Sequence, residues 1–328
     1  MTVELLRIDD PVLPAVWDSM YAADHAATPF HSYDFTHAWW QVYDGSPKGK
    51  VLLAQDRAGT PAALIPLRFG VGEIRTLFTN AADYTGSVCR PHGNGARELA
   101  THLVSRLSNR RLRLWNVRAD DPLVLALRSV VDLSDVQTET MMSADAGDTA
   151  VPGTQYPMGS SFRQQVRKDQ RRLLRLGVEH IDVRGQEVAH HLAEMIALHT
   201  ATWEARGLPG KFVDGRRRGL LRRLVELGDR FPCRFTALLH RKEALAFRFG
   251  FLRRGTEYFW TSGFLPRFRG YSPGQVLLLM DTQRLADPTT DVSVIDFLRG
   301  DEDYKRRWAS QRAAVHAYEA PARTGLRR

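Results

Sequence analysis

Hydrophobic and polar positions along this chain run in two periods, and the order of those periods occurs twice. In the first half, residues 51–55 and 62–69 read as strands flanking a turn at Arg57–Thr60. A third short strand is expected at 83–89. Residues 96–107 fit a helix, with Leu99, Leu103 and Leu107 at i+4 spacing, and 112–117 read as a strand. In the second half, 234–240, 245–252 and 257–262 read as strands, followed by a helix after Ser272 and a strand at 292–298. Within 245–252 the alternation is strict: Leu245, Phe247, Phe249 and Phe251 share one face, and Ala246, Arg248 and Gly250 the other. Hairpin, strand, helix, strand thus occurs in both halves, which predicts a duplicated α/β unit with mixed sheets. A Gly-, Pro- and Thr-rich stretch at 143–159 reads as a linker between a unit at 1–142 and a unit at 160–328, with 320–328 a flexible tail.

Two helices open the second half. Residues 160–176 begin with Ser161 and Gln164 at capping-box spacing. They carry an apolar stripe of Phe162, Val166, Leu173 and Leu176, with Gly177 placed to end the helix. Arg163, Arg167, Lys168, Arg171, Arg172 and Arg175 cover the rest, either as an anion-binding face or as a solvated one. A helix over 188–206 sets His199, Trp203 and Arg206 on one face. No metal site is expected there, because no ligand spacing of the zinc type accompanies the histidines.

Composition narrows the picture. The 328 residues allow two ordinary domains, and 43% apolar with 25% charged residues is a globular balance. No apolar run approaches the ~20 residues that span a bilayer, so no membrane span is expected. The first ten residues lack a basic-then-apolar signal pattern, and Cys89 and Cys233 are the only cysteines. These features predict a cytoplasmic protein without disulfides. The net charge of +9 suits anionic partners such as phosphates, coenzyme A, nucleic acid or a membrane surface, without choosing among them.

Three segments carry candidate chemistry. After strand 257–262, Arg267, Arg269, Gly270 and Tyr271 lead into Ser272, Pro273, Gly274 and Gln275. Ser272 is a good N-cap and Pro273 a good first helical residue, so a helix N-terminus with open N–H groups would follow two arginines. That is an anion site, and strand–turn–helix is the right context for a pyrophosphate. Arg90-Pro-His-Gly-Asn-Gly95 stands as a rival between a strand and a helix of the first half. The third segment is 294–308. Asp301, Tyr304, Lys305 and Trp308 fall at i, i+3, i+4 and i+7 of an expected helix, either walling a polar pocket or forming a surface face with an Asp301–Lys305 pair.

Taken together, these residues resemble the CelD/BcsL family of the GNAT acyltransferase superfamily. The resemblance runs through Trp39-Trp40, Ile65-Pro-Leu67, Ala82-Asp-Tyr84, Ser161-Phe-Arg163, the run from Arg171 to Gly177, and Trp203 with Gly207 and Phe212. It ends in Tyr271-Ser-Pro-Gly274 and the stretch from Asp296 to Lys305, which are its most specific parts. The family is similar in build to the Fem-type aminoacyltransferases, which implies two tandem GNAT-like units, the second more typical.

The resemblance implies transfer of an acyl group from acyl-CoA, with acetyl-CoA the first choice, to an amine or hydroxyl of a small-molecule, glycan or peptide acceptor. Transfer from an aminoacyl-tRNA is the alternative donor chemistry, although no stable nucleic-acid partner is expected. A non-catalytic GNAT-like binding scaffold is the third reading. Pantetheine would run along strand 257–262, with Arg267, Arg269, Gly270, Tyr271, Ser272, Gly274 and Gln275 holding the pyrophosphate. Lys305 would stabilise negative charge on the reacting carbonyl. Asp296 or Asp301 would act as base or orient the acceptor, and Tyr304 would protonate the leaving thiolate. Asp83, Tyr84, Trp203, Arg206, Arg248, Trp260 and Arg299 would contact substrate, Arg248 as a clamp pointing into the cleft.

Overall fold

A computed structural model describes residues 1–79, 81–145, 159–285 and 290–322. The chain forms two compact units. The first comprises Met1–Thr140 together with the C-terminal segment from Ala314, and the second comprises Met141–Ala313.

In the first unit, strands β1 (Thr2–Arg7), β2 (Gly49–Gln55), β3 (Pro61–Phe69) and β4 (Glu73–Thr76) pair antiparallel in sequence order. Next, β4 pairs in parallel with β6 (Arg111–Arg118), and β6 pairs antiparallel with Val315–Ala320 of β13 (Gln311–Ala320). The two-residue β5 (Val88–Cys89) also pairs with β3, so the expected strand at 83–89 is mostly loop. Helices α1 (Leu13–Ala23) and α2 (Tyr33–Tyr43) fill the stretch between β1 and β2. On α2, Trp39 packs edge-on against Phe78 with ring centres 5.4 Å apart. Helices α3 (Gly95–Ser105) and α4 (Pro122–Arg128) bury Leu99, Leu103, Leu123 and Leu127 against Leu52, Ile65, Leu112 and Tyr318.

The second unit follows the same plan. Strands β8 (Glu179–Arg184), β9 (Cys233–His240), β10 (Glu243–Arg253) and β11 (Thr256–Phe264) pair antiparallel in order. Then β11 pairs in parallel with β12 (Val294–Arg299). β12 in turn pairs antiparallel with Met141–Asp145 of β7 (Ser134–Asp145). Each unit therefore closes with an antiparallel strand from the other half of the chain: β13 joins the first, and the end of β7 joins the second. Sequence order cannot show such an exchange. It is why the expected split into 1–142 and 160–328 differs from the observed units, and why Ser143, Ala144 and Asp145 of the expected linker lie in a strand. Residues 146–158 and 323–328 are outside the described residues.

Helices α5 (Ser160–Arg175) and α8 (Pro273–Leu285) cover one face of the second sheet, placing Val166, Leu173, Val276 and Leu277 over Leu238, Ala246 and Phe259. α6 (Leu192–Glu204) and α7 (Gly215–Glu226) complete the helical set before β9. α5 starts from Gly159 without a side-chain cap, so the capping-box reading of Ser161 does not hold, while Gly177 takes φ +76° and ends the helix as expected. The helix expected over 188–206 is split: residues 185–191 form a 3₁₀ segment and α6 begins only at Leu192.

Candidate functional site

β11 and β12 pair at only three positions, Thr256↔Val294, Glu257↔Ile295 and Tyr258↔Asp296. Beyond Tyr258 and Asp296 the strands separate, leaving the facing edge of β11 unpaired by β12. On its other edge β11 stays bonded to β10, but the register slips: Phe249 faces Thr261, and the next residue, Gly250, faces Phe259. Trp260 is thus the extra residue of a β-bulge, which re-aims the backbone at the point of separation. Glycine is required at 250, since a Cβ there would sit 2.5 Å from the Tyr258 carbonyl oxygen.

Tyr304 fills the mouth of this opening. It lies on the short helix α9 (Asp303–Trp308) that follows β12. Its ring packs edge-on against Phe259 at 6.5 Å and Phe297 at 6.3 Å, the first residues of β11 and β12 beyond their last pair. Burial pushes the Tyr304 phenol well above the usual tyrosine range, and the Glu302 carboxylate adds to the shift. The group is therefore a neutral hydroxyl, placed to donate toward negative charge that forms beside it.

After β11, a 3₁₀ segment at Pro266–Tyr271 leads into α8. Ser272 takes a left-handed conformation (φ +47°, ψ +47°) rather than the extended one of a side-chain N-cap. Its carbonyl accepts from the N–H of Gln275 at 2.9 Å and of Val276 at 3.0 Å. With Pro273 lacking a donor, Gly274 keeps the first-turn amide that remains open, fewer than the sequence suggested. A Cβ at Gly270 or Gly274 would meet nothing within 4 Å, so both backbones are open to a close approach. Arg269 is exposed and has no ion-pair partner among the described residues, whereas Arg267 pairs with Glu243. Arg172 of α5 stacks on the Tyr271 ring at 4.4 Å and reaches the Gly270 carbonyl at 3.4 Å, bracing the turn from outside. These residues fit a diphosphate: one free amide, one free guanidinium and two uncovered glycines.

The segment from Arg299 to Trp308 departs from its expected geometry. α9 starts only at Asp303, so Asp301 and Glu302 precede the helix and the i, i+4 pair of Asp301 with Lys305 does not form. Instead Asp301 binds Arg306 through both oxygens at 2.8 and 2.9 Å, and that hydrogen bonding holds its carboxyl below the usual range. Lys305 is 3% exposed and its ammonium is fully engaged: it donates to the carbonyls of Leu298 and Arg299 and pairs with Glu302 at 2.9 Å. An ammonium saturated by three acceptors fastens the β12–α9 turn and has no donor left for a substrate carbonyl. Asp296 accepts from the Leu298 N–H at 2.7 Å, supporting the left-handed Leu298 (φ +60°) where the β12 register against β7 slips. Trp308 Nε1 donates to Gln275 Oε1 at 2.6 Å, which ties α9 to the first turn of α8 and occupies the Gln275 side chain.

Arg248 departs furthest from its expected role as a substrate clamp. It is 2% exposed, with α8 covering the face it shares, so it cannot reach substrate. It pairs with Glu257 at 3.0 Å and with Asp281, and its guanidinium lies over the Phe259 ring at 4.5 Å. Arg234 adds bonds to Glu257 at 2.5 Å and to Asp182 at 2.8 and 3.0 Å, while His180 meets Asp281 at 2.8 Å. This strip of buried charge under α8 was not foreseen. Its signal was Arg234, Arg248 and Glu257 inside otherwise apolar strands.

The other expected contacts are scattered. Trp260 is buried among Phe212, Phe249 and Phe251. Trp203 is half-buried, with the exposed Arg206 over its ring at 5.3 Å. In the first unit, Asp83 and Tyr84 lie in the loop before β5, and the Tyr84 ring is buried beside Phe30 at 6.2 Å. Of the rival motif, Arg90 is tied to the Pro61 carbonyl at 2.8 Å and to Ser19 at 3.0 Å, and Gly95 sits where a Cβ would strike Ala62 at 2.7 Å. Those residues anchor α3 against β3. Among the described residues no His, Cys, Asp and Glu group is arranged to hold a metal ion, and no helix is long and apolar enough to cross a membrane.

No curated protein matches this sequence. Among solved structures, FemX is similar over 97% of each chain, with a TM-score of 0.64 at 9% identity. L-PGS from Bacillus licheniformis aligns with 98% of this chain and 94% of its own, with a TM-score of 0.59 at 11% identity. A tandem GNAT protein from the clavulanic acid biosynthesis pathway aligns with 99% of this chain and 100% of its own, with a TM-score of 0.50 at 14% identity. Identities this low show a shared mixed α/β fold. Residues 160–306 match the family model described as an acetyltransferase (GNAT) domain, so the second unit carries both the fold and the sequence pattern of a GNAT acetyltransferase domain.

Proposed function

We propose that the second unit transfers an acyl group from acyl-CoA to an amine or hydroxyl acceptor. The observation that carries this reading is the neutral Tyr304 hydroxyl at the opening between β11 and β12, beside the bulge at Trp260. The unpaired edge of β11 beyond Tyr258 offers backbone donors and acceptors to the amides of a pantetheine arm. The Gly274 amide and Arg269, at the far end of the same strand–turn–helix, suit its diphosphate. In the reaction the acceptor attacks the thioester carbonyl and loses its proton to solvent. The carbon–sulfur bond breaks, and the thiolate takes the proton of Tyr304, whose phenolate regains one from solvent.

Lys305 and Asp301, both committed to neighbouring groups, have structural roles in this reading. Acetyl-CoA is the first donor to test. Titration calorimetry should show micromolar binding that weakens in Arg269→Ala, with free-thiol release in the presence of a polyamine or amino-sugar acceptor. Absence of binding at high micromolar acetyl-CoA, or equal binding by Arg269→Ala, counts against the reading.

A further inference from the structure

We propose that the outward face of α5 docks the protein onto an anionic lipid bilayer, a surface independent of the acyl-transfer site. Arg163, Arg167 and Arg171 stand at i, i+4 and i+8 and line a groove of about 280 Å³ together with Ser160 and Gln164. Lys168 and Arg175 flank this ridge. Among the described residues Arg167, Lys168, Arg171 and Arg175 have no carboxylate partner. The helix's one acidic residue, Asp169, is 1% exposed and held by Gln165 at 3.0 Å and Arg172 at 3.1 Å, so it neutralises none of the ridge.

Leu174 continues the same stripe three residues after Arg171 and is 48% exposed. The inner face is fixed, since Val166 and Leu173 are buried in the core. The outward face is therefore a rigid surface carrying a cluster of cations and one projecting leucine. A bilayer interface takes both kinds of group: anionic headgroups bind the cations, and Leu174 enters the acyl boundary. A single-stranded nucleic-acid track would pair such cations with aromatic rings for base stacking, and the side chains named on this face include none.

The test is flotation of the full chain with vesicles of phosphatidylcholine alone and of phosphatidylcholine mixed with phosphatidylglycerol. The protein should float with the mixed vesicles, stay in solution with phosphatidylcholine alone, and be released by high salt. Arg167→Ala with Arg171→Ala should weaken vesicle binding about 25-fold, at roughly fivefold per charge. Leu174→Ser should weaken it about threefold and leave the salt dependence in place. All three side chains are exposed, so the variants should keep the parent circular dichroism, and the lipid and salt comparisons need no variant. Failure to float with mixed vesicles, equal flotation with phosphatidylcholine alone, or unchanged binding by the leucine variant with displacement by RNA would each overturn the proposal, the last in favour of a nucleic-acid surface.

Discussion

The indole of Trp308 donates to the side-chain carbonyl of Gln275 at 2.6 Å, joining the helix after β12 to the first turn of the helix after β11. Trp308 is fully buried, so loss of this acceptor strands a donor that water cannot easily reach. Gln275→Ala should cost about 1–3 kcal/mol, the desolvation penalty of an unpaired buried donor. Because Gln275 also opens α8, the variant should raise KM for acyl-CoA more than it lowers kcat. Urea melts and steady-state kinetics on one preparation separate the two effects.

Tyr304→Phe keeps the ring that packs against Phe259 and Phe297 and removes only the hydroxyl. Stability should stay within about 0.5 kcal/mol of the parent, as for substitutions that leave packing intact. Turnover should fall by roughly 10²–10⁴, the range for loss of a general acid. The phenol's raised pKa has a second consequence. The acid stays protonated through the ordinary tyrosine range, so an alkaline fall in kcat caused by its ionisation should begin above that range. A Tyr304→Phe enzyme with parental turnover would remove the proton-transfer role.

Much of the second unit was legible from alternation alone. β9, β10 and β11 were placed within a few residues because each is a run of β-formers ended by a turn. The polar residue types of the site were legible too, but not their partners. An i, i+4 argument assumes a helix already formed at Asp301, and α9 begins two residues later, which moved Lys305 to Glu302 and Asp301 to Arg306. Arg248 reads as a clamp pointing into the cleft because alternation marks one strand face as polar; with helices over both faces of the sheet, that polar face is a buried charge strip. Strand exchange was illegible in principle, since pairing of β7 with β12 depends on contacts remote in sequence. That pairing carries its own expectation. A fragment limited to residues 160–313 leaves Val294, Ile295 and Asp296 of β12 without their β7 partners, and should be less soluble and less cooperative in thermal unfolding than one beginning at Met141.

Gly250 tests the bulge directly. A Cβ at this position would lie 2.5 Å from the Tyr258 carbonyl oxygen and 3.1 Å from its carbon, both backbone atoms that cannot swing away. Gly250→Ala must therefore shift β10 against β11 where Trp260 is the extra residue. The expected cost is about 1–3 kcal/mol, as for overpacking elsewhere. The unpaired edge of β11 would move with the bulge, so kcat should fall along with stability. Gly274→Ala is the control: its Cβ meets nothing within 4 Å, and it should fold normally while weakening donor binding by crowding the open amide.

His199 should set the acid limit of the second unit's stability. Its side chain is 1% exposed, packed against Phe212 at 4.6 Å and Trp203 at 5.8 Å, with a buried Nδ1 that has no hydrogen-bond partner among the described residues. Burial, reinforced by the charges of Lys211 and Arg217, lowers its pKa from 6.5 to about 4. The folded form thus binds this proton more weakly than the unfolded chain does. The contribution is fully present above pH ~6.5, declines as the unfolded chain takes up the proton, and is lost by the folded-state value near 4. Denaturant midpoints measured across that window should fall with pH in the parent and fall less steeply in His199→Leu, which has no proton to gain. Identical slopes in the two proteins would mean that His199 is solvated in the native state, and that the ring does not pack as the Phe212 contact requires.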